Sequence, residues 1–407
     1  MGSVPYALGR QLRFFCKQEA VLGGAFGTAS QEALVGTNAA KVTASDMSFS
    51  VERVNREDST PTRSLQERVT GKQEVTWSAE CYLLPAGGTA APDIDPLLES
   101  AFGVAFGTSG THAGGGYKLS DGTGGATGLK SLHLMRTASG VVREDIFGAW
   151  VESWGLSVSG GDIPKMTFSG GAMNYAMTGS GTTATVATST TLQVTSGGHV
   201  NFMKGSVLTI DGVTSPAESV VTSVTTDALT LGATVEYLSP RDILPSTYTE
   251  TDVVGKPVTS TAGSITIGGT AYDVMAFDVT MTNGIKPLND GAFVAGTSDY
   301  IPMARSVTGT VTIRAKQTDL KAFGARTTAL GGVLQFPTTA INVVIGSNVG
   351  GATAAHADAK SVKILMPTCE LDFSNISIPA AEEAILNIPF TALGSSGADE
   401  IAFYWNV

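Results

Sequence analysis

Val307–Gly324, VTGTVTIRAKQTDLKAFG, decides the fold of this chain, because an edited copy of it stands far upstream. There Val69–Pro85 reads VTGKQEVTWSAECYLLP and, after a Gly/Pro-rich spacer, Asp93–Gly103 reads DIDPLLESAFG. Both passages give Val-Thr-Gly, an alternating segment, and a short acidic-led stretch that ends in Phe-Gly. The pattern is that of a duplicated unit.

Alternation of apolar and polar residues puts successive side chains on opposite faces of a strand. In the upstream copy Val75, Trp77, Ala79 and Cys81 fall on one face, and Glu74, Thr76, Ser78 and Glu80 on the other. In the downstream copy Val311, Ile313 and Ala315 oppose Thr310, Thr312, Arg314 and Lys316. Each strand therefore has a buried side and a wet side. Asp95-Pro96 then reads as a helix start, with Asp95 as N-cap, Pro96 at the first helical position and Gly103 closing the helix. Asp319 and Gly324 repeat this without the proline.

The repeat extends in both directions. Asp46–Val54 is an alternating strand, followed by the charged loop Asn55–Arg68; Asp278–Gly284 and the loop Lys286–Ser306 match them. Loops of this length inside a domain usually have a task. Downstream, Leu129–Arg136 and the hairpin Trp150–Ala176 match Val333–Gly346, Val362–Pro379 and Glu382–Gly394. Leu12–Ala29 reads as an entering strand and a glycine loop, and Gly107–Gly128 as a glycine-rich excursion. Between the copies, Thr178–Leu238 is a run of short Thr/Val strands with Asp211-Gly212 as a hairpin turn, lacking helix and aromatic core. The expected fold is all-β with small helical additions: tandem antiparallel domains at 1–177 and 257–407, each with one flanking helix, a small all-β insert at 178–238, and a linker at 239–256.

Composition excludes several function classes. The 407 residues are 42% apolar, ample for packed cores, but only 15% charged, against a usual figure of about 25%. A net charge of −11 argues against a protein that grips nucleic acid by neutralising phosphates. Cys16, Cys81 and Cys369 are odd in number and far apart, which fits neither a disulfide framework nor a zinc knuckle and predicts reduced core thiols. Arg10, Arg13, Lys17 and Glu19 interrupt what would be a signal core, and no run of about 18 apolar residues is present, so the chain is expected in a cytosol at first.

Sites of chemistry are tested by spacing. Gly124–Ser131, GGATGLKS, fails as a phosphate loop because Leu129 separates glycine from Lys130. His112, His133, His199 and His356 stand alone, without the spacing of a metal motif. Asp93 and Asp95 form a pair better explained by helix capping than by magnesium. No nucleophile elbow occurs, and Trp150 and Trp154, in line with Leu156 and Val158, read as core or subunit contact rather than a binding platform. No enzyme, cofactor or metal is expected.

The passages Glu74–Pro85 with Asp95–Gly103, Trp150–Ala172, and Cys369–Gly394 resemble the tail tube proteins of long-tailed bacteriophages. The resemblance implies a β-sandwich with a flanking helix, one sheet of which joins those of its neighbours in a ring. Stacked rings make a hollow tube that conducts DNA. Members with one such domain form hexamers and members with a fused pair form pseudo-hexameric trimers; the repeat places this chain with the fused pair, hexameric rings being the alternative. Implied partners are the chain itself, the tail tip or baseplate, the tail terminator, and in the lumen the tape measure protein and transiting DNA, bound without specificity and with no membrane involved. The implied location is the virion tail, after assembly in the bacterial cytoplasm. The second reading is another phage structural protein, a capsid or tail decoration or an adhesion module.

On the tube reading, Glu74, Thr76, Ser78, Glu80, Asp278, Thr280, Thr310 and Thr312 are expected to face the lumen, where acidic balance repels phosphate. Arg314 and Lys316 are the basic exception, resolved by a position at the mouth or by pairing with acids on a neighbouring strand. The two long loops are expected to reach an adjacent ring through Arg56, Glu57, Asp58, Arg63, Asp299 and Arg305.

Overall fold

The computed structural model describes residues 12–55, 68–85, 90–109, 112–118, 129–138, 141–183, 187–195, 197–213, 218–226, 228–237, 241–248, 257–258, 260, 263–288, 296–314, 338–347, 360–372, 385–394 and 399–405. The chain opens with β1 (Leu12–Gln18), β2 (Ala39–Ala40), β3 (Ala44–Asn55) and β4 (Arg68–Tyr82). The helix α1 (Asp95–Phe102) leads to β5 (Gly107–Ser109), β6 (His112–Lys118), β7 (Leu132–Ala138) and β8 (Val142–Ala149). Then come β9 (Ser153–Ser159), β10 (Lys165–Ala172) and β11 (Asn174–Thr178). This first half forms two antiparallel layers, with strands in the order β3-β4-β10-β9 and β2-β1-β7-β8-β11.

A separate six-stranded sheet follows: β12 (Gly181–Thr182), β13 (Ala187–Gln193), β14 (Val207–Ile210), β15 (Ser219–Thr225), β16 (Ala228–Tyr237) and β17 (Asp242–Pro245), in the order β12-β17-β14-β15-β16-β13. It has its own core, centred on Leu192, Leu208, Val221, Leu229 and Ile243, with Phe202 as its aromatic member. Gly212 turns at positive φ directly after β14, as its sequence predicts. The stretch read as linker, Ser239–Lys256, is partly strand: Asp242–Pro245 pairs with both β12 and β14. Pro245 ends that strand, and prolines at such positions disguise it in the sequence.

The second half contains β18 (Gly263–Ile267), β19 (Thr270–Ala271), β20 (Val274–Thr282), β21 (Ile285–Leu288), β22 (Asp299–Pro302), β23 (Ser306–Arg314), β24 (Thr338–Ser347), β25 (Lys360–Leu371), β26 (Ile385–Ala392) and β27 (Ala402–Trp405). Its pairing order runs β20-β23-β26-β25 in one layer and β19-β18-β24-β25-β27 in the other. Position by position this is the order of the first half, with β25 doing alone what β8 and β9 do in succession. The register of β25 against β24 slips beside Pro367, a residue that cannot donate to a ladder.

The two halves share one hydrophobic core and one sheet, because β9 pairs with β20 over Ser153–Ser159 and Ala276–Thr282. The glycine-rich stretch read as an excursion crosses the same seam: β6 pairs with β27 of the second half. The seam is sealed by aromatics, with Trp154 edge-on to Phe102 at 5.3 Å and to Phe403 at 5.5 Å.

Alternation in β4 and β23 holds. Val75, Trp77, Ala79, Cys81, Val307, Val311 and Ile313 are buried, and Glu74, Thr76, Ser78 and Arg314 are exposed. The Val-Thr-Gly phrases, however, do not occupy equivalent places. Val75, not Val69, lies opposite the last alanine of the next strand, Ala172, as Val307 lies opposite Ala392. In this frame Trp77 faces Gly170 where Gly309 faces Phe390, so the large and small members of the pair exchange strands. A Cβ on Gly309 would stand 2.5 Å from the Phe390 ring and 2.1 Å from the Asp278 carbonyl oxygen. Such exchanges keep the filled volume constant, which is what a close-packed layer requires.

The helix expectations need one correction. Ile94 is the N-cap of α1 and Asp95 its first residue, without a side-chain cap. Asp95 instead accepts a hydrogen bond from the buried Tyr117 hydroxyl at 2.6 Å. Gly103 closes the helix in the left-handed region (φ 71°), where glycine is favoured. The matching helix at Asp319–Gly324 lies outside the described residues.

Candidate assembly surface

Eight strands, β3-β4-β10-β9-β20-β23-β26-β25, make one continuous layer, and residues directly opposite on its ladders share a face. One row reads Asp46, Ser78, Ser169, Ser153, Thr282, Ser306. The next reads Ala44, Glu80, Thr167, Gly155, Thr280, Thr308, Thr391, and the third Tyr82, Lys165, Ser157, Asp278, Thr310, Pro389. Glu74 and Thr76 of β4 and Thr312 of β23 have the same parity. All eight residues assigned to a lumen therefore lie on one face, the side away from the core.

That face is a wall of small hydroxyl side chains. Lys165 is held by Glu80 at 2.9 Å, and the pairing keeps the Glu80 carboxyl below its ordinary range, chiefly through the hydrogen bond from Lys165. Arg314 pairs with Asp273 at 3.4 Å, just ahead of the neighbouring strand β20. Lys316 lies outside the described residues. Matched by acids, Lys165 and Arg314 have little to offer a phosphate backbone.

The strand ends from which the long loops depart lie at one end of this layer. Arg56, Glu57, Asp58 and Arg63 lie outside the described residues, but β3 and β4 are still paired at Asn55 and Arg68 where that loop begins and ends. Lys286–Ser306 is a β-hairpin arm rather than a loop, β21 pairing with β22 from Ile285 and Pro302 to Leu288 and Asp299. Asp299 is exposed on it. Arg305 is not a free rim charge, since it pairs with Glu400 at 3.4 Å and is half-buried. Tyr300 packs against Trp150 in a tilted arrangement, ring centroids 5.1 Å apart, fixing the arm to the first half, while Ile301 and Met303 are exposed.

The structure brings together a buried cluster that the isolated histidines did not announce. His133 Nε2 lies 2.9 Å from Asp145, whose carboxylate also takes two bonds from Arg143 at 2.6 and 2.9 Å. All three are fully buried. Arg143 continues to the Ser246 carbonyl and the Tyr248 hydroxyl, and Glu218 accepts from both Ser246 and Tyr248. The network pins the six-stranded insert to the outer layer of the first half. Burial alone would raise the Asp145 carboxyl, but Arg143 and His133 overcome it and hold Asp145 below the usual range. Burial likewise pushes His133 down, toward the neutral imidazole. The sequence signal was present: Arg143, Asp145 and Phe147 share one face of β8.

A second buried acid, Glu19, follows β1 and accepts backbone N–H groups of Gly23 at 3.0 Å and Gly148 at 2.9 Å. Burial pushes it up to about 7 against those bonds. It holds the loop 20–31, from which Gln31 donates to the Gly205 carbonyl of the insert. Cys16, Cys81 and Cys369 are free and buried, and Trp150 and Trp154 are core residues. Among the described residues no cluster of His, Cys, Asp or Glu has the makings of a metal site, and no helix is long and apolar enough to cross a membrane.

Comparison with known proteins gives one family. Residues 217–392 match the model of the phage tail tube protein family, from just ahead of β15 to the end of β26. No curated protein matches the chain.

Proposed function

We propose, from the match of residues 217–392 to the phage tail tube protein family, that this chain polymerises as stacked rings into a tail tube that conducts DNA. The chain is a structural protein of the phage tail. Each copy contributes two tube modules, the first and second halves, so that three copies close a ring with six module positions. The observation that carries this reading is the β9·β20 seam: within one chain, two like-ordered sandwiches already join edge to edge in one sheet. Repeating that joint from chain to chain uses the outer edge of β3, which pairs with no strand among the described residues and in a lone molecule is a pairing hazard.

The Ser/Thr face, with Glu80 paired to Lys165, becomes the wall of the lumen, and its acids Glu74 and Asp278 repel passing phosphate. The arm Lys286–Ser306, together with the loop Asn55–Arg68 between β3 and β4, meets the next ring. A head-to-tail contact of this kind repeats without closing and so builds a tube. The tail tip or baseplate, the terminator and the tape measure protein are the further partners of such a tube, and its place is the virion after assembly in the bacterial cytoplasm.

Electron microscopy of the purified protein tests the proposal. Tubes or rings are expected from the full chain, and soluble single rings from a variant lacking 289–298. Discrete particles of one chain, or unaltered tubes from the deletion, would contradict the respective parts.

A further inference from the structure

The internal seam is a template for what each half presents at its outer edge. In the second half that edge is fully sealed. Met281 of β20 lies opposite Trp154 on the ladder and is 0% exposed. Phe403 of β27, also 0% exposed, takes the edge of Trp154 at 5.5 Å and packs near Phe102 at 6.1 Å. Trp154 and Phe102 both come from the first half.

The ladders identify the residues of the first half that hold the same places. Phe49 sits opposite Val75, which faces Ala172; Met281 sits opposite Val307, which faces Ala392. Tyr175 of β11 sits opposite Ile146, which faces Leu134 and then Cys16. Phe403 sits opposite Ile364, which faces Val343 and then Ile265. Phe49 and Tyr175 stack face to face, 5.3 Å apart and 4° from parallel, across the gap between the two layers. Yet Phe49 is 36% exposed and Tyr175 is half-buried.

We infer that the Phe49–Tyr175 stack is a docking socket for the second half of another copy of this chain. The neighbour seals it as Trp154 and Phe102 seal Met281 and Phe403. The inference rests on the ring reading and sharpens it, because it names the apolar anchor of the joint between chains, where the paired edge of β3 supplies only backbone bonds. The supporting contrast is one of like positions: the same place in the same strand order is covered where a neighbour is present and open where none is. The surrounding groups are matched within the chain, Tyr175 donating to Glu144 at 2.9 Å and Arg136 bridging Glu144 and Asp46. The exposed part of the Phe49 ring, not its face against Tyr175, is thus the unspent contact of the cluster.

The test is assembly of the full-length protein with single substitutions at Phe49, read by sedimentation and electron microscopy, with circular dichroism as the check on folding. Phe49→Asp and Phe49→Ser are expected to lower the assembled fraction on the order of tenfold or more, as loss of an interface anchor does. Phe49→Met, which installs the residue found at Met281, is expected to assemble like the parent. Val200→Asp, on the exposed surface of the insert, serves as the control and leaves assembly unchanged. If the parent and a folded Phe49→Ser assemble equally, the socket is overturned while the ring stands. If the parent forms no ring at all, both readings fall.

Discussion

The two halves of this molecule follow one strand order but are finished differently. In the first half the outer layer is buried on both faces around His133, Arg143, Asp145 and Phe147 of β7 and β8, where Ser246 beside the insert meets Arg143 and Phe26 of the loop 20–31 meets Phe147. In the second half the corresponding surface of β25 is partly open at Lys363 and Leu365. After β1 the first half places a buried acid, Glu19; after β18 the second half turns on Gly268-Gly269 into the short β19. The lesson is that a common sheet plan constrains the faces that meet the core and the wall, and leaves the outer layer free to diverge.

That contrast is broken most severely at Arg143. Replacing it with methionine leaves the Asp145 carboxylate buried beside His133 without its cation, and such a loss typically costs about 3–5 kcal/mol. Denaturant unfolding at neutral pH should show a decrease of that order, partly regained by adding Asp145→Leu. A decrease below about 1 kcal/mol would mean that the lid on the first half is not held by this network.

Glu19 gives a smaller, pH-dependent effect. Its folded-state value, raised to about 7 by burial, exceeds the ordinary 4.5, so the folded form keeps a proton that the unfolded form has shed. Its contribution is present in full below about 4.5 and is lost as pH rises through about 7, amounting to at most about 3 kcal/mol. Unfolding free energies of the parent and Glu19→Gln, taken across that window, should therefore converge or cross in favour of the glutamine variant as pH rises. A constant difference would remove Glu19 as the titrating group.

Much of the layout was legible in the sequence. The alternation of Val75 to Cys81 and of Val311 to Ile313 marks buried faces, because every second side chain of a strand meets the same layer. What was not legible depends on partners far away in the chain. The seam between β9 and β20, and the crossing of β6 to β27, are set by ladder register across the two halves, and no local periodicity reports it. Val69-Thr-Gly and Val307-Thr-Gly look equivalent as text but stand at different heights, since only strand partners fix register. Arg143 and Asp145 have no spacing that marks a buried ion pair, because charged residues are usually solvated; only their shared parity with Phe147 points to it. Asp95 looked like a cap, but Tyr117 competes for its carboxylate.

The central claim is that one chain supplies two adjacent positions of a ring. Mass measurement of isolated rings, together with the rotational symmetry of the tubes by electron microscopy, tests it most directly. The account predicts three copies per ring, with a six-fold-like wall and a three-fold pattern of inserts. Six copies per ring would contradict it.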